Sequence, residues 1–533
     1  MDGEARPQYG SAAMASIIHE LTLLQERDGW LSEAALRDLA ERLKVPLHRV
    51  ESVSTFYTHF RRTPPKKVSI AVCRDLSCMM AGGAAACRDL RKKLGKRRDV
   101  EILDVSCIGR CDAAPAGFVG HTPVTISPKL NVEKPKAIPT ARPQPWAADV
   151  SKNYDALRAA LTMDRDAIVA ALKSANLRGM GGAGFPTGMK WELVKKEAAT
   201  PKYVICNADE SEPGTFKDRL ILDELPHLVI EGMAIGAFVV GSDRGTVFIR
   251  HEYGHERRSL ERAIKAAYKA GALGKNIFGS GFSFELDVFV SPGGYILGEE
   301  TALLECMEDK RGEPRNKPPF PGTKGLWEKP TLINNVETFA HAAGIVKNGL
   351  GWWKSLGKPG FAGHKFISVS GDVARPGVYL IPMGAPIREL LALCGGMKDG
   401  KILKAIAPGG ASSNFLPADK LNVPMDFKTL SDAGSMLGSG AAVFVAEGHD
   451  LLDVGVNVTR FFRNESCGKC VPCRVGSEKA VALLEGTKRA SPGQEALLNE
   501  LNTTMNLTSI CGLGQVALGP LLSILKNFPA DTK

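Results

Sequence analysis

The feature that constrains this chain most is a glycine-rich stretch at residues 177–191, which holds five glycines among fifteen residues. Such a backbone can approach a phosphate group closely, because no Cβ shields its amides. Gly179, Gly181 and Gly184 also fit the spacing G-x-G-x-x-G. In a dinucleotide-binding fold that spacing follows a strand, whereas residues 166–177 have a helical pattern. The stretch is therefore either a phosphate-binding loop in an unusual setting or a plain flexible loop.

Length and composition place the chain among multidomain globular proteins. A chain of 533 residues predicts several domains, and its twelve cysteines are clustered, which favours metal ligation in a reducing compartment. We expect a cytoplasmic protein without membrane insertion, because no apolar run could span a bilayer and the N-terminus has no signal pattern. The net charge of +10 comes partly from residues 91–98. Since no aromatic residues interleave that run, we expect no nucleic-acid surface but a solvated helix end or a contact with an acidic partner.

The N-terminal part changes from a helical to a strand pattern. Residues 11–62 carry amphipathic helical stripes, and residues 67–73 and 100–107 alternate like strands that each end in a cysteine. Two cysteine pairs follow, with spacings C-x4-C and C-x3-C: Cys73, Cys78, Cys107 and Cys111. Zinc prefers tighter C-x2-C pairs, so these spacings favour a [2Fe–2S] cluster, with free cysteines as the alternative. Prolines and lysines between residues 128 and 147 predict a semi-extended linker.

The middle of the chain collects polar groups at predicted strand ends. A strand at residues 203–207 leads into Asp209, Glu210 and Glu212, which are good acceptors for hydroxyl and amide donors but could also form a solvated turn. A second glycine-rich loop follows at residues 291–301 and ends in paired acids. Segments 315–321 and 330–338 add lysine, aromatic and amide groups. Together these segments could line one pocket.

One motif in this region points to different chemistry. Residues 251–255 satisfy H-E-x-x-H, the zinc-protease signature, which requires both histidines on one face of a helix. Here a strand pattern precedes the motif and Gly254 lies inside it. We interpret the segment as a strand-to-helix turn and keep metalloprotease activity as a distant alternative, in which Glu252 would be essential.

The C-terminal part carries the strongest cysteine motif. Residues 350–445 predict a small β-grasp-type insert in which we find no chemistry and in which Cys394 is structural. Beyond it the pattern is helical, and three cysteines at C-x2-C-x2-C are followed by a distant fourth: Cys467, Cys470, Cys473 and Cys511. This set favours a [4Fe–4S] cluster over zinc. Lys469 and Arg474 place positive charge beside it, which should favour the reduced cluster.

Two iron–sulfur sites around a phosphate-binding region imply a flavin, because a flavin links two-electron nicotinamide chemistry to one-electron clusters. Taken together, these motifs resemble those of a known family. Residues 11–127 resemble the small [2Fe–2S] thioredoxin-like flavoprotein subunit of respiratory complex I, and residues 166–525 resemble its large NADH-oxidising FMN subunit. The run Glu-Ser-Cys-Gly-Lys-Cys-x-Pro-Cys-Arg and the two glycine loops carry the resemblance.

The resemblance implies roles for individual residues. FMN would be held by residues of both glycine loops and of two strand ends: Gly179, Gly181, Gly182, Lys190, Asn207, Asp209, Glu210, Tyr295, Gly298, Glu299, Asn334, Asn335 and Thr338. NAD(H) would contact Phe185, Glu212, Glu300, Lys317 and Phe320. The acids would favour NAD over NADP, whose extra phosphate is negative. Hydride transfer requires no acid–base residue, so we name no catalytic residue. Two positions depart from the family pattern, Met180 where Arg is usual and Leu193 where an aromatic residue can stack on adenine.

The resemblance also implies a multidomain α/β architecture, in which a Rossmann-like FMN/NADH domain and a β-grasp (ubiquitin-like) insert are followed by a helical [4Fe–4S] bundle. We expect six segments: an N-terminal helical region at 1–62, a thioredoxin-like [2Fe–2S] domain at 63–127, a linker at 128–150, the FMN/NAD(H) domain at 151–345, the β-grasp domain at 346–445 and the [4Fe–4S] domain at 446–533.

Fusion of both subunits in one chain is similar to the β (diaphorase) subunit of NAD-dependent molybdenum or tungsten formate dehydrogenases. We therefore expect hydride exchange between NAD(H) and FMN, with electrons from formate. They would come through a catalytic α subunit that carries further iron–sulfur clusters and a molybdenum or tungsten cofactor. The alternatives are the diaphorase subunit of a bidirectional NAD-hydrogenase, the NADH-oxidising subunit of complex I, and a non-enzymatic scaffold that senses NAD(H).

Overall fold

The computed structural model describes residues 16–139 and 150–532. The first fifteen residues and residues 140–149, which belong to the predicted linker at 128–150, lie outside the described residues. Three helices open the described chain: α1 (Ile17–Asp28), α2 (Glu33–Leu43) and α3 (Leu47–Phe56). Ser16 and Ser32 accept hydrogen bonds from backbone amides in the first turns of α1 and α2, so both act as N-caps. The apolar stripes predicted for these helices are buried.

The first sheet has four strands: β1 (Val68–Cys73), β2 (Val100–Val105), β3 (Ala116–Val119) and β4 (Thr122–Thr125). Their order is β2-β1-β3-β4, with β1 and β2 parallel and the other neighbours antiparallel. Two helices, α4 (Leu76–Met80) and α5 (Gly83–Leu94), connect β1 to β2. Because β1 and β2 are parallel, their carboxyl ends meet at one edge, and the two cysteine pairs follow directly from that edge.

The second sheet is fully parallel and contains β5 (Tyr203–Ala208), β6 (Arg244–Arg250), β7 (Glu285–Ser291) and β8 (Thr331–Asn335) in the order β7-β6-β5-β8. The helices that surround it are α6 (Asp155–Ala160), α7 (Arg165–Ser174), α8 (Thr187–Lys196), α9 (Lys217–Glu224), α10 (Pro226–Val240), α11 (Gly254–Lys269), α12 (Glu300–Met307), α13 (Pro321–Lys324) and α14 (Val336–Ser355). Helix α10 is apolar around most of its circumference, because it is buried between the sheet and α14. The carboxyl ends of all four strands face one edge, where open α/β sheets bind ligands.

The third sheet is mixed and has the order β10-β9-β13-β11-β12. Its strands are β9 (His364–Gly371), β10 (Gly377–Pro382), β11 (Leu403–Ala407), β12 (Leu416–Pro417) and β13 (Ala441–Ala446), accompanied by α15 (Ile387–Leu393) and α16 (Phe427–Asp432). Only β9 and β13 pair in parallel among these strands. Cys394 is fully buried beside α15, as the sequence predicts for a structural cysteine.

The C-terminal part is helical: α17 (Leu451–Glu465), α18 (Val471–Leu484), α19 (Pro492–Thr508), α20 (Gly512–Val516), α21 (Gly519–Asn527) and α22 (Pro529–Thr532). Helix α17 buries one broad apolar face against α18 and α21. Among the helices in the described ranges, none combines the length and apolar character required to cross a bilayer.

Candidate functional site

The glycine-rich stretch is a closed loop between two helices. Helix α7 ends at Ser174 and α8 begins at Thr187, so the loop follows a helix, as the sequence predicts. The N–H of Gly179 donates to the carbonyl of Phe185 across 2.9 Å, and the N–H of Thr187 donates to the carbonyl of Leu177 across 2.8 Å. Gly182 and Gly184 have φ angles of 128° and 64°, which side chains rarely adopt. The loop therefore presents bare backbone in a fixed conformation.

This loop packs onto the carboxyl end of β8. Thr338 Oγ1 accepts the Met180 N–H at 2.9 Å, and a Cβ at Gly181 would lie 3.1 Å from Asn335 Cβ. Asn335 caps α14 by accepting the Glu337 N–H at 3.0 Å. Asn334 Oδ1 accepts the indole N–H of Trp191 at 2.9 Å. The structure therefore brings the glycine loop together with the predicted amide residues, although they are about 150 positions apart in the sequence (335 less 181 is 154).

The acidic strand end after β5 is buried rather than a solvated turn. Asp209 accepts hydrogen bonds from Ser211 at 2.5 Å and Ser291 at 2.7 Å, and burial raises its pKa to about 6. Asn207 Nδ2 donates to the carbonyl of Gly298 at 2.8 Å, which connects this strand end to the second glycine loop. These contacts join the ends of β5 and β7 and the second glycine loop into one continuous wall of the site.

Glu210 points into the protein at the start of α9. Its carboxylate accepts the backbone amides of Asp218 and Arg219 at 2.8 and 3.1 Å and the hydroxyl of Tyr253 at 2.9 Å. Burial raises the pKa of Glu210 to about 7, and the nearby Asp218 carboxylate contributes to that rise. Three donors already bind this carboxylate, so Glu210 connects the strand end to α9 and to Tyr253 on the interior side of the wall.

Glu212 and Tyr295 face each other across the site. The Tyr295 hydroxyl donates to Glu212 Oε2 at 2.7 Å, and the Ser412 N–H donates to Oε1 at 2.6 Å. Burial raises the pKa of Glu212, and these donors oppose that shift. The Tyr295 N–H donates to Glu465 Oε2 at 2.8 Å, and the other oxygen of Glu465 accepts the Ser106 hydroxyl. Glu465 thus connects the second glycine loop to the segments that carry both cysteine sets.

Two lysines and two acids form the open side of the site. Lys317 Nζ donates to Glu299 Oε1 at 2.8 Å and to Glu300 Oε1 at 3.0 Å, and Lys190 Nζ lies 3.7 Å from Glu300 Oε2. Burial alone would raise the pKa of Glu300, but Lys190 and Lys317 outweigh it and lower the pKa. Lys190 also donates to the carbonyl of Ile333 at 3.1 Å. Both cations therefore lie at the rim, and each is paired with an acid there.

Aromatic side chains at the rim are exposed to solvent. Phe185 is 42% exposed with Lys190 Nζ 5.9 Å from its ring centre, and Phe320 is 58% exposed. Leu193, which stands where the resembled family has an aromatic residue, is 55% exposed. Exposed aromatic faces in a mostly buried site are suited to stacking on a planar ligand.

The N-terminal cysteine set is gathered into one buried cluster. The four side chains are between 1 and 5% exposed: Cys73, Cys78, Cys107 and Cys111. Cys107 Sγ lies 3.5 Å from Cys111 Sγ. The Ala116 N–H donates to Cys78 Sγ at 3.4 Å, and the Gly214 N–H donates to Cys111 Sγ at 3.3 Å. Four buried thiols, two of which accept amide N–H groups, form a donor set that fits a [2Fe–2S] cluster.

The C-terminal cysteine set lies nearer the surface. Cys473 is 5% exposed, and the other three thiols, Cys467, Cys470 and Cys511, are half-buried. Cys470 and Cys511 immediately precede helices α18 and α20, whose N-termini carry partial positive charge. Lys469 donates to the carbonyl of Pro314 at 2.7 Å and Arg474 donates to that of Gly468, so both cations are fixed beside the thiols. This donor set fits a [4Fe–4S] cluster.

The H-E-x-x-H segment does not form a metal site. The His251 ring contacts that of His59, with ring centres 4.0 Å apart and planes tilted by 39°, whereas His255 Nε2 lies 3.0 Å from Asp223 Oδ1. Helix α11 begins at Gly254, so only His255 is on it, as expected for a strand-to-helix turn. Within residues 16–139 and 150–532, no three His, Cys, Asp or Glu side chains are arranged around a position for a single metal ion.

Several residues that shape the site carry no signal in the sequence. Lys217, Glu337 and Lys365 form a fully buried ion network, in which Lys217 Nζ and Lys365 Nζ lie 3.0 and 2.9 Å from Glu337 Oε2. Lys365 belongs to β9 of the third sheet, a region whose sequence contains no recognisable chemical motif. The contact between that sheet and the glycine loop becomes evident only in the folded chain.

Profiles of four known families match successive parts of the chain. They are described as thioredoxin-like [2Fe-2S] ferredoxin (residues 5–138), Nuo51 FMN-binding domain (172–343), SLBB domain (366–412) and NADH-ubiquinone oxidoreductase-F iron-sulfur binding region (453–533). The chain is thus a mixed α/β fusion of a [2Fe–2S] domain, an FMN-binding domain, an SLBB domain and a C-terminal iron–sulfur region. The glycine loop and both thiol sets fit these groups.

Individual proteins are similar over most of their length. An F subunit of NADH-quinone oxidoreductase from Rhizobium meliloti is 45% identical over 71% of this chain and 91% of its own length, and the F subunit from Escherichia coli is 45% identical over 71% and 86%. The HndC subunit of the NADP-reducing hydrogenase of Solidesulfovibrio fructosivorans is 42% identical over 71% and 77%. A chain in the crystal structure of an NAD+-reducing [NiFe]-hydrogenase is 30% identical, covers 97% of this chain and 93% of its own, and superposes with a TM-score of 0.86.

Proposed function

This chain belongs to the family of the NADH-quinone oxidoreductase F subunits, and on that premise we propose that it is a diaphorase subunit that exchanges electrons between NAD(H) and a partner subunit. The observation that supports this proposal is the convergence of the glycine loop on the strand ends of the second sheet, through Met180 and Thr338. Two thiol sets adjoin the same wall, one through Gly214 and one through Glu465.

We propose that FMN is held by the backbone of the first glycine loop and by the amide and acidic residues around it. The residues are Gly179, Gly181, Gly182, Lys190, Asn207, Asp209, Glu210, Tyr295, Gly298, Glu299, Asn334, Asn335 and Thr338. Bare amides and Lys190 suit a phosphate group. The side chains of Asn207 and Glu210 already have internal partners, so their contribution is to fix the shape of the wall.

We assign NAD(H) to the rim residues Phe185, Glu300, Lys317 and Phe320 and to the buried Glu212. The exposed rings of Phe185 and Phe320 are accessible for stacking on planar groups. Glu212 and Glu300 would accept ribose hydroxyls or amide hydrogens, and they disfavour the additional phosphate of NADP.

FMN, when bound, exchanges hydride with the nicotinamide and single electrons with the clusters. The residues of this chain align the two ring systems, exclude water and set the local charge. None of them is required to move a proton, so no catalytic residue is assigned.

Electrons are proposed to leave or enter through the C-terminal thiol set. Three of its four thiols are half-buried, and exposed apolar side chains adjoin them: Val471, Val475 and Leu507, at 59, 55 and 76% exposure. The N-terminal thiols are at most 5% exposed. A partner subunit with its own iron–sulfur clusters can therefore approach the C-terminal set much more closely.

We propose formate as the donor, through a catalytic subunit with a molybdenum or tungsten cofactor, because of the fused architecture and the complete [2Fe–2S] ligand set. Hydrogen is the second candidate, since the solved [NiFe]-hydrogenase chain shares the full-length architecture. The native complex should be purified and tested for NAD+ reduction by formate and by hydrogen, with molybdenum, tungsten and nickel analysis. Formate-dependent activity with molybdenum or tungsten supports the first candidate, and hydrogen-dependent activity with nickel supports the second.

We also propose the finer fold assignments. The parallel order β7-β6-β5-β8 supports a Rossmann-like FMN domain, and the mixed third sheet with its helices α15 and α16 supports a β-grasp fold. The six segment boundaries expected from the sequence remain proposals of the same kind.

A further inference from the structure

The buried ammonium group of Lys365, on β9 of the third sheet, contacts the first glycine loop. Its side chain is fully buried, and Nζ lies 3.2 Å from the Met180 carbonyl oxygen and 3.7 Å from Met180 Sδ. The Met180 N–H is bound on its other side by Thr338 Oγ1 at 2.9 Å. Both polar groups of Met180 in the glycine loop are therefore held by side chains.

The two side chains that hold Met180 are themselves coupled. Thr338 follows Glu337 in the first turn of α14, and Glu337 Oε2 lies 2.9 Å from Lys365 Nζ. Glu337 Oε1 accepts the Phe366 N–H at 2.8 Å. Glu337 thus fixes the position of β9 relative to α14, and Lys365 extends that connection to the loop.

Two further residues near the third sheet, Gly440 and Phe427, help to form this contact. A Cβ at Gly440 would lie 2.6 Å from Lys365 Cε, so a glycine there leaves room for the lysine chain. The ring of Phe427 packs against Gly184, with 3.1 Å to a Cβ built there, and Arg178 lies over the same ring at 5.6 Å. The segments around the third sheet therefore form the outer wall of the glycine loop.

We propose that Lys365 is a positioning residue for FMN: it holds the Met180 carbonyl so that the neighbouring glycine amides stay aligned for the flavin phosphate. This inference rests on the proposed FMN site and assigns part of that site to β9 of the third sheet. A charged donor to a buried carbonyl forms a strong hydrogen bond, and its removal frees a loop that otherwise consists mostly of glycine.

The test is FMN binding to deflavinated full-length protein, measured by fluorescence, for the wild type and Lys365→Met. Methionine has nearly the length of lysine, and Glu337 keeps Lys217 at 3.0 Å and His341 at 3.2 Å as partners. We expect FMN affinity to fall at least about tenfold, with both iron–sulfur signals and the circular dichroism spectrum retained. Lys401→Met is the matched control, because Lys401 lies in the same region, is 45% exposed and pairs with Asp372 at 2.9 Å. It should bind FMN like the wild type.

The wild-type protein provides a second measurement that does not depend on how the variant folds. Burial lowers the pKa of Lys365 to about 8, although Glu337 opposes the shift and Lys217 adds to it. Asp218 on α9 also acts on this ammonium, and His341 on α14 contacts its partner Glu337. The lysine loses its proton as pH rises through 8, so FMN release should accelerate above that pH in the wild type and in Lys401→Met.

The outcomes separate the inference from the proposed function. Wild-type protein that binds no FMN would overturn the proposed function. Lys365→Met protein that binds FMN as tightly as the wild type, or wild-type FMN release that is constant between pH 7 and 9, would overturn the positioning role alone.

Discussion

The backbone N–H of Gly214 donates to Sγ of Cys111 across 3.3 Å, so the loop after the acidic strand end contacts the N-terminal thiol set. This contact is one of several between the thioredoxin-like [2Fe–2S] domain and the FMN-binding domain. Arg219 Nη2 pairs with Asp112 Oδ2 at 2.7 Å, and both side chains are at most 3% exposed. The environment of the [2Fe–2S] site is therefore completed by the FMN-binding domain.

Asp112→Asn should weaken this interface. The change leaves the buried Arg219 guanidinium without its anionic partner, which costs about 3 kcal/mol or more. We expect faster hydrogen exchange in residues 100–119 and a lower midpoint of thermal unfolding. Asp28→Asn is the control, because the Asp28 and Arg27 side chains are 37 and 68% exposed, and it should change neither quantity. Equal exchange rates in Asp112→Asn and the wild type would show that the buried pair does not hold the domains together.

Single cysteine changes should remove one cluster at a time. Cys473→Ala is expected to abolish the [4Fe–4S] signal in electron paramagnetic resonance while FMN and the [2Fe–2S] signal remain, and Cys107→Ala should do the reverse. Cys87→Ala is the control, since Cys87 is buried but lies outside both sets and contacts Asp104. Loss of iron in Cys87→Ala equal to that in Cys107→Ala would contradict the ligand assignment.

Tyr295→Phe should change the pH dependence of NADH binding. The variant removes the hydroxyl that donates to Glu212, so the already raised pKa of Glu212 should rise further. If ionised Glu212 binds NAD(H), the rise in KM for NADH on acidification will begin at a higher pH in the variant. KM should be measured between pH 5.5 and 8 with ferricyanide as acceptor.

Tyr268→Phe serves as the control for this measurement, because it removes a similar hydroxyl that donates to Glu285 at 2.7 Å on an exposed surface. Identical pH profiles for Tyr295→Phe and Tyr268→Phe would remove Glu212 from the NAD(H) site.

Glu231 should make stability depend on pH. Burial in α10 raises the pKa of Glu231 to about 7 from an ordinary value of 4.5. Because the folded-state pKa is the higher one, its stabilising contribution is complete below about pH 4.5 and is lost as pH rises through 7. The shift corresponds to about 3 kcal/mol. Glu231→Gln should therefore gain thermal stability relative to the wild type between pH 5 and 8, whereas the control Glu478→Gln, at a 65% exposed position, should show no such gain. A constant difference between variant and wild type across this range would contradict the assignment.

Local sequence patterns predict much of this architecture, because strand ends, helix positions and ligand spacing depend on interactions between residues that are close in the sequence. Cys73 ends its strand, as the alternation of residues 67–73 indicates. The thiol sets follow from spacing, and the position of the glycine loop after a helix was evident from residues 166–177.

Contacts between domains could not be predicted in this way. Lys365 reaches Met180 from a separate sheet, and Glu465 connects Tyr295 to Ser106 across most of the chain. No local pattern records such long-range packing. For the same reason, the sequence did not show that Glu210 faces the interior rather than the open site.

One chain is proposed to exchange electrons among NAD(H), FMN and both clusters, and this exchange can be followed in the direction that starts from NADH. The most direct measurement is anaerobic addition of NADH to the purified, reconstituted chain, followed by flavin absorbance and electron paramagnetic resonance. Bleaching of the flavin together with the appearance of a reduced iron–sulfur signal, and steady reduction of ferricyanide, is the predicted result. A chain that retains FMN and both clusters but shows no spectral change with excess NADH would contradict the account.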